Sequence, residues 1–155
     1  IYFDSCYLAK LHLLGHSLAV RAQDSGDVVC CLIGWGELIA TLHRHLRDGR
    51  LTAPQFRLLS AQVAADVQER LWTPLPVTSE LVEAQTRRMT GLSGKVFLRA
   101  ADALHLTCAA EAGLKEIYSN ADTWSLLPLT RVEVHHSLTG SLALTFPVRV
   151  DRLGF

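Results

Sequence analysis

The sequence predicts a three-layer α/β/α fold in which a central, mostly parallel sheet is covered by helices on both faces. Short apolar runs typical of buried strands alternate with longer helical segments, which favours parallel strands joined by helical crossovers. The run at residues 28–33 is apolar throughout, as expected for a strand that is covered on both faces. The chain has 155 residues, 49% of them hydrophobic, which is enough to bury the core of one domain.

The first half of the chain begins with a strand and a helix. Residues 1–3 form an apolar run that stops at Asp4, so we expect a buried strand with a carboxylate at its C-terminal end. A Gly-Trp-Gly sequence at 34–36 precedes Glu37, which is therefore expected near the start of the next helix. The predicted elements are a strand at 1–3, helices at 5–14 and 17–23, a turn at 24–27, a strand at 28–33 and a helix from 37 to 47.

The second half contains three longer helices and short strands. Thr52 and Gln55 have the spacing of a capping box, with Pro54 in the first turn of the helix that follows. Pro74 and Pro76 lack an N–H group, so the apolar run around them can only be a short or edge strand. The predicted elements are helices at 52–67, 78–89 and 99–113, strands at 71–77, 115–119 and 131–134, and a helical turn at 124–127.

The helix at 99–113 carries the most informative polar residue. Apolar side chains cover most of its circumference, so we expect it to be buried on more than one face and to end at Gly113. Asp102 lies in its first turn, with Arg99 and His105 on either side of it. A buried carboxylate needs a paired base, a hydrogen-bond network or a metal ion, and pairing with Arg99 at the helix N-terminus is the purely structural alternative.

Four carboxylates are expected to converge at one edge of the sheet. Asp4 and Asp122 each follow a predicted strand, and Glu37 and Asp102 lie near the starts of predicted helices. Parallel α/β sheets bind ligands beyond the carboxyl ends of their strands, where the strand order reverses. Clustered acids repel each other unless a cation holds them, and oxygen ligands favour Mg²⁺ or Mn²⁺ over Zn²⁺. Such a site activates water for attack on a phosphodiester, which is the chemistry of a nuclease.

Four motifs carry a family resemblance, and they follow one another along residues 1–135: YFDSCYLAK, GELIATLHR, RAADALHLTCA and IYSNAD. In content and order they resemble the PIN domain, most closely the toxin ribonucleases of VapBC toxin–antitoxin pairs. The resemblance implies a Mg²⁺- or Mn²⁺-dependent endoribonuclease that is inhibited by a cognate antitoxin and is commonly a homodimer. It implies that the catalytic, metal-binding acids are Asp4, Glu37, Asp102 and Asp122, and that Ser119 or Asn120 helps to position the last acid and the water.

Two parts of the sequence depart from the family pattern. Family members usually place a Thr or Ser, one residue and then the Asp, whereas two residues separate Ser119 from Asp122, so either Asn120 takes the polar role or the loop bulges. Residues 136–155 match nothing expected of the family. We therefore expect a nuclease domain at 1–135 and a C-terminal extension at 136–155. The alternative function is a catalytically impaired PIN-like module that binds RNA or an antitoxin without cutting.

Several polar residues have both a structural and a functional interpretation. Asp4 could simply cap the helix after it, and Glu37 could simply favour the helix dipole. His105 is either a hydrogen-bonded core residue or a group that orients a water or binds phosphate. With 15 basic and 15 acidic residues the chain has no net charge, so RNA contacts must rest on local patches. The candidates for contacts to an RNA backbone are Arg44, Arg47 and Arg50. The alternative is that these arginines form a basic face that only contacts solvent.

The cysteines and the lengths of the apolar runs favour a cytoplasmic protein. The four cysteines lie in apolar runs and form no C-x-x-C pair, so we expect buried thiols rather than disulfides or a zinc site. No apolar stretch is long enough to span a membrane and no signal peptide pattern begins the sequence. We therefore expect a cytoplasmic location and no membrane partner.

Overall fold

The computed structural model describes residues 1–14, 27–119 and 133–135. The helix predicted at 17–23, the turn predicted at 124–127 and the extension at 136–155 lie outside these residues, as do Asn120 and Asp122. The domain boundary at residue 135 therefore stays a prediction.

Five short parallel strands form the central sheet in the described part of the chain: β1 (Tyr2–Phe3), β2 (Val29–Cys31), β3 (Thr73–Leu75), β4 (Glu116–Tyr118) and β5 (Glu133–His135). Their order is β3-β2-β1-β4-β5, so β1 lies in the middle. Tyr2 pairs with Val29 on one side and with Ile117 on the other. The chain builds the sheet first to one side of β1 and then to the other, which makes the carboxyl end of β1 the place where ligands bind in such sheets.

The helices of the described ranges are α1 (Ser5–Leu14), α2 (Leu32–Arg47), α3 (Ala53–Gln68), α4 (Ser79–Thr90) and α5 (Ala100–Glu111). The two side chains of β1 point to opposite faces of the sheet, as successive strand residues must. Phe3 packs into a core cluster with residues of α1, α2 and α3. Tyr2 packs into a second cluster with residues of α4 and α5. Helices thus cover both faces, which confirms the predicted three-layer α/β/α fold with a parallel sheet.

The start of α2 differs from the prediction. The helix begins at Leu32, so Glu37 is its sixth residue and lies in the second turn, not at the start. Gly34 lies inside the helix. A side chain would not fit at this position, because a Cβ atom there would be 2.2 Å from Sγ of Cys30 and 3.1 Å from Cε1 of His105. This glycine permits close packing and does not make a turn. The prediction that Glu37 opens a helix was therefore wrong.

Most other boundaries follow local sequence signals. Thr52 and Gln55 form the predicted capping box at the start of α3. Thr78 accepts a hydrogen bond from the backbone N–H of Leu81 at the start of α4. Gly113 follows α5 with a φ of 68°, the left-handed conformation that ends many helices. β3 is an edge strand, as its prolines predicted.

The cysteines are free, but they are not all buried. Cys30, Cys31 and Cys108 are buried thiols, as expected. Cys6 is exposed on the first turn of α1, which corrects the expectation for this residue. Within the described ranges, no helix combines the length and the apolar character needed to cross a membrane.

Candidate active site

Asp4 follows the central strand β1 directly and is only 4% exposed. Its Oδ1 accepts a hydrogen bond of 2.9 Å from the backbone N–H of Tyr7, so Asp4 caps α1. Its Oδ2 accepts a hydrogen bond of 2.6 Å from the hydroxyl of Ser119. Burial raises the pKa of Asp4 although both hydrogen bonds oppose this effect. The carboxylate is therefore tightly held but incompletely compensated.

Glu37 projects from the second turn of α2 and is half-buried. Its Oε2 accepts a hydrogen bond of 2.8 Å from Nε2 of His105 on α5. Its carboxylate also accepts a hydrogen bond from the hydroxyl of Ser5. The hydrogen bond from His105 is the largest effect on this group and lowers the pKa of Glu37. Glu37 is therefore held in its ionised form between α1 and α5.

Asp102 is the third residue of α5 and is half-buried. Its carboxylate accepts a hydrogen bond from the backbone N–H of Arg99, which is one half of a capping box. Burial raises the pKa of Asp102, the positive charges of Arg99 and His105 oppose this effect, and the negative charge of Glu37 adds to it. Asp102 is thus a helix-terminal acid near Arg99, as the structural interpretation has it. The Glu37 carboxylate also acts on it, which that interpretation does not include.

Contacts from neighbouring elements link the described acids through Glu37. Ser5, the chain neighbour of Asp4, contributes to the lowered pKa of Glu37. His105 donates to the Glu37 carboxylate and lies one helical turn from Asp102. Residues adjacent to Asp4 and Asp102 therefore reach Glu37, and the assembly of the acids into one metal-binding site stays a prediction.

The pKa of the Cys6 thiol reflects the charges of the same three acids. Packing around the sulfur raises its pKa to about 11 even though the residue as a whole is exposed. The negative charges of Asp4, Glu37 and Asp102 all add to this rise in pKa. One side chain on the first turn of α1 is thus within electrostatic reach of all three acids.

Ser119 lies at the end of β4 and is fully buried. The family resemblance gave Ser119 or Asn120 the task of positioning the last acid, but the Ser119 hydroxyl donates to the first acid, Asp4. Asn120 and Asp122 lie outside the described residues, so the role of their unusual spacing stays a prediction.

His105 is a hydrogen-bonded core residue, as its structural interpretation predicted. Its side chain is 2% exposed, with Nε2 bonded to Glu37 and Nδ1 lying 2.6 Å from the hydroxyl of Tyr2. Sequence reasoning missed Tyr2 and Ser5. A tyrosine in a strand that is covered on both faces was the available signal, because its buried hydroxyl must find a partner.

The three predicted RNA-contact arginines differ in their settings. Arg44 is exposed and follows Glu37 by seven residues, which is about two helical turns, so both lie on one face of α2. Arg47 pairs with Asp48 at 3.2 Å. Arg50 lies beyond the end of the helix. Of these three, Arg44 is the one aligned with the acids.

The donor set suits a hard cation, although the described acids form no complete site. No group of three His, Cys, Asp or Glu side chains within residues 1–14 and 27–119 is arranged to hold a metal ion. Mg²⁺ keeps several waters and often uses only one or two carboxylates, so the oxygens of Asp4, Glu37 and Asp102 fit it in kind. The raised pKa values of Asp4 and Asp102 indicate carboxylates whose charge a cation would compensate.

Comparison with known proteins identifies similar sequences and folds. The sequence profile described as "PIN domain" matches residues 1–128. No curated protein sequence matches the chain.

Three solved structures have similar folds. VapC20 of Mycobacterium tuberculosis, described as a sarcin-ricin loop cleaving toxin, has 18% identity and a TM-score of 0.61 over 81% of this chain and 93% of its own. A toxin–antitoxin complex from Klebsiella pneumoniae has 15% identity and a TM-score of 0.58 over 85% and 98%. VapBC2 from Rickettsia felis, bound to a DNA fragment from their promoter, has 9% identity and a TM-score of 0.63 over 87% and 96%. At these identities the likeness shows the fold.

Proposed function

This chain belongs to the PIN domain family, and we propose that it is a metal-dependent endoribonuclease of the cytoplasm, the toxin of a toxin–antitoxin pair. The observation that carries the proposal is that Asp4, Glu37 and Asp102, from three distant stretches of sequence, all act electrostatically on Cys6 in the first turn after the central strand. Acids at this edge of a parallel sheet provide the oxygen ligands with which Mg²⁺ or Mn²⁺ is held beside a phosphodiester.

The acids that would hold the ion are Asp4, Glu37 and Asp102, with Asp122 as the fourth. A bound divalent ion supplies an acidified water and neutralises charge on the phosphate. The chain's own residues keep the acids in place: the Ser119 hydroxyl and the first turn of α1 fix Asp4, and His105 fixes Glu37. These contacts restrict the motion of Asp4 and Glu37 before an ion binds, which lowers the entropic cost of binding it.

Two protein partners belong to this proposal. The similar structures from Klebsiella pneumoniae and Rickettsia felis are described as a toxin–antitoxin complex and as VapBC2. By analogy with these proteins, we propose a cognate antitoxin that binds this chain. The family resemblance adds the proposals that the antitoxin inhibits the chain and that the chain assembles as a homodimer.

The proposal is tested by incubating purified protein with RNA in the presence of Mg²⁺ or Mn²⁺, or with a chelator. The matched variants are Asp4→Asn and Asp102→Asn, with Asp48→Asn as a control because Asp48 is an exposed acid paired with Arg47. We expect cleavage that needs metal, is lost by at least about 100-fold in both site variants and is unchanged in the control. A folded wild type that binds RNA or an antitoxin but never cuts would instead support the impaired binding module.

Arg44 is the first residue to test for RNA binding. We expect Arg44→Gln, made in the Asp4→Asn background, to weaken binding of single-stranded RNA and to lower the slope of log Kd against log salt by about 0.7, the loss of one phosphate contact. Arg47→Gln is the matched control, because Arg47 is paired with Asp48 and lies off the face of Glu37. If both substitutions weakened RNA binding equally, the arginines would act only through the overall positive charge of this surface. Arg44 would then make no specific contact with a phosphate.

A further inference from the structure

We propose that Tyr2 and His105 are positioning residues of this site, and that a buried hydrogen-bonded chain through them fixes the Glu37 carboxylate in the orientation in which it meets a divalent cation. The inference rests on the proposed function and extends it from the acids to the groups that hold one of them. It assigns Tyr2 a role beyond packing in the central strand.

The chain of contacts is continuous and short. The backbone N–H of Cys31 donates to the hydroxyl oxygen of Tyr2 at 3.0 Å, and this hydroxyl lies 2.6 Å from Nδ1 of His105. Nε2 of His105 lies 2.8 Å from Oε2 of Glu37. Tyr2 is 0% exposed and His105 is 2% exposed, so water does not compete for these bonds. This series of hydrogen bonds runs from the backbone of β2 to the half-buried Glu37 carboxylate.

The hydrogen-bonding needs of the groups assign one hydrogen. An ionised carboxylate only accepts, so Nε2 of His105 carries a hydrogen and donates it to Glu37. The oxygen of Tyr2 accepts from the N–H of Cys31 and is also bonded to Nδ1 of His105. Both ring nitrogens of His105 are therefore bonded, which fixes the plane of the imidazole.

This chain ties Glu37 to the strand that carries Asp4. Tyr2 lies on the short strand β1 and Asp4 directly follows that strand, so one rigid element influences the positions of both Asp4 and Glu37. The rings of Tyr2 and His105 also pack edge to face with centroids 5.8 Å apart, which limits rotation of the imidazole. Glu37 is a long side chain and is 36% exposed, so without this support it would occupy many orientations. Partners of metal ligands commonly act in this way.

The test is Mn²⁺ binding to the metal-free protein, followed by electron paramagnetic resonance, because this readout does not depend on cleavage. Tyr2→Phe removes only the hydroxyl, His105→Phe removes both ring nitrogens at similar volume, and His105→Gln keeps an amide donor near the position of Nε2. The control is Tyr118→Phe, whose hydroxyl bonds to Glu116 on β4.

We expect His105→Phe to weaken Mn²⁺ binding by about 10-fold, Tyr2→Phe to weaken it by a smaller factor, His105→Gln to restore most of the affinity and Tyr118→Phe to leave it unchanged. In the wild type, nitrogen NMR should show that Nε2 of His105 carries a hydrogen. If Tyr2 or His105 had only a structural role, its substitution would lower the melting temperature without changing the affinity of the folded protein for Mn²⁺.

The outcomes separate this inference from the proposed function. If the wild type binds Mn²⁺ and cuts RNA, and the folded Tyr2→Phe and His105→Phe proteins bind Mn²⁺ as tightly, this inference alone is overturned. A His105 ring without a hydrogen on Nε2 would overturn it even if the variants fail to fold. A wild type that binds no Mn²⁺ would overturn the proposed function and this inference together.

Discussion

At the scale of single residues, Asp4 is a candidate site residue whose buried carboxyl lowers the stability of the fold. Two hydrogen bonds hold its carboxylate, yet burial outweighs them and raises its pKa above the ordinary value of 3.8. A carboxyl whose pKa is higher in the folded chain destabilises the fold wherever it is ionised. The cost is absent below the unfolded pKa and fully present above the folded pKa. Without metal, the buried Asp4 carboxyl therefore lowers the stability of the fold at pH values above its unfolded pKa.

We expect Asp4→Asn to leave the metal-free protein at least as stable as the wild type at pH 7 while it abolishes RNA cleavage. Asn keeps one oxygen for the α1 cap and carries no charge, and its NH2 group replaces Oδ2, so the Ser119 hydroxyl must turn to accept a hydrogen bond instead of donating one. Thermal unfolding in the presence of a chelator measures this, with Asp48→Asn as the exposed control. A clearly lower melting temperature for Asp4→Asn alone would mean that the hydrogen bonds outweigh the desolvation.

His12 on α1 forms a buried pair with Asp66 on α3, in which Nδ1 lies 3.3 Å from Oδ2. Burial lowers the pKa of His12 below 6.5, and the charge of Asp66 only partly opposes this. The unfolded chain takes up a proton near pH 6.5, whereas the folded chain resists it. The contribution of His12 to stability is therefore complete above pH 6.5 and is lost as the pH falls toward the folded pKa.

We expect the free energy of unfolding to fall with pH below 6.5, with His12 adding at most about 1.4 kcal/mol per pH unit. Urea unfolding between about pH 7.5 and 5.5 measures this slope. His12→Gln should flatten it because the group no longer titrates, and His43→Gln, an exposed histidine, should not change it. Equal slopes for the two variants would remove His12 as the cause.

At the scale of elements, two glycines of α2 have opposite environments. A Cβ atom on Gly34 would lie 2.2 Å from Sγ of Cys30, whereas a Cβ atom on Gly36 would meet no atom within 4 Å. The first glycine permits the packing that brings Glu37 to His105. The second lies on the exposed side of the helix, where glycine only costs backbone entropy.

We expect Gly34→Ala to lower the free energy of unfolding by about 1–3 kcal/mol through overpacking. Gly36→Ala should raise it by roughly 0.5–1 kcal/mol through better helix propensity. Denaturant unfolding measures both changes, and adding Cys30→Ala to Gly34→Ala should recover much of the loss by freeing the space that the sulfur occupies. If both single alanines stabilised the protein, close packing at Gly34 would be disproved.

At the scale of the whole molecule, the sheet order explains why the acids meet. β2 and β3 lie on one side of β1, and β4 and β5 lie on the other, so parallel strands on both sides end at the same edge as β1, where α1 and α2 begin. Asp4 follows β1 itself, Ser119 arrives from β4, and Glu37 arrives from the helix that follows β2. The site is therefore a consequence of topology.

The domain boundary is tested by truncation. A chain of residues 1–135 keeps all five strands, whereas a chain of 1–128 lacks β5, which pairs with β4. We expect the 1–135 protein to unfold cooperatively and to melt close to the full chain, and the 1–128 protein to melt lower because β4 loses its neighbour. Circular dichroism melts measure both. A large loss of stability in the 1–135 protein would place residues 136–155 within the domain and not in an extension.

The sequence by itself determined the features that depend on neighbouring residues. The strand before Asp4, the capping box of Thr52 and Gln55 and the left-handed Gly113 were predicted because each rests on contacts or conformations within a few residues. The alternation of strands and helices then limited the fold to a layered parallel sheet, and the order of the acids indicated the edge where they meet.

Only the tertiary structure decided the features that join distant residues. The helix α2 begins at Leu32, before Glu37, and Gly34 within it packs close to Cys30 and His105, which no local pattern reveals. The contacts of His105 with Tyr2 and Glu37 span 103 and 68 residues of sequence, so their partners depend on how the layers stack. A sequence shows that a buried polar group needs a partner, but the packing of the elements chooses which partner it has.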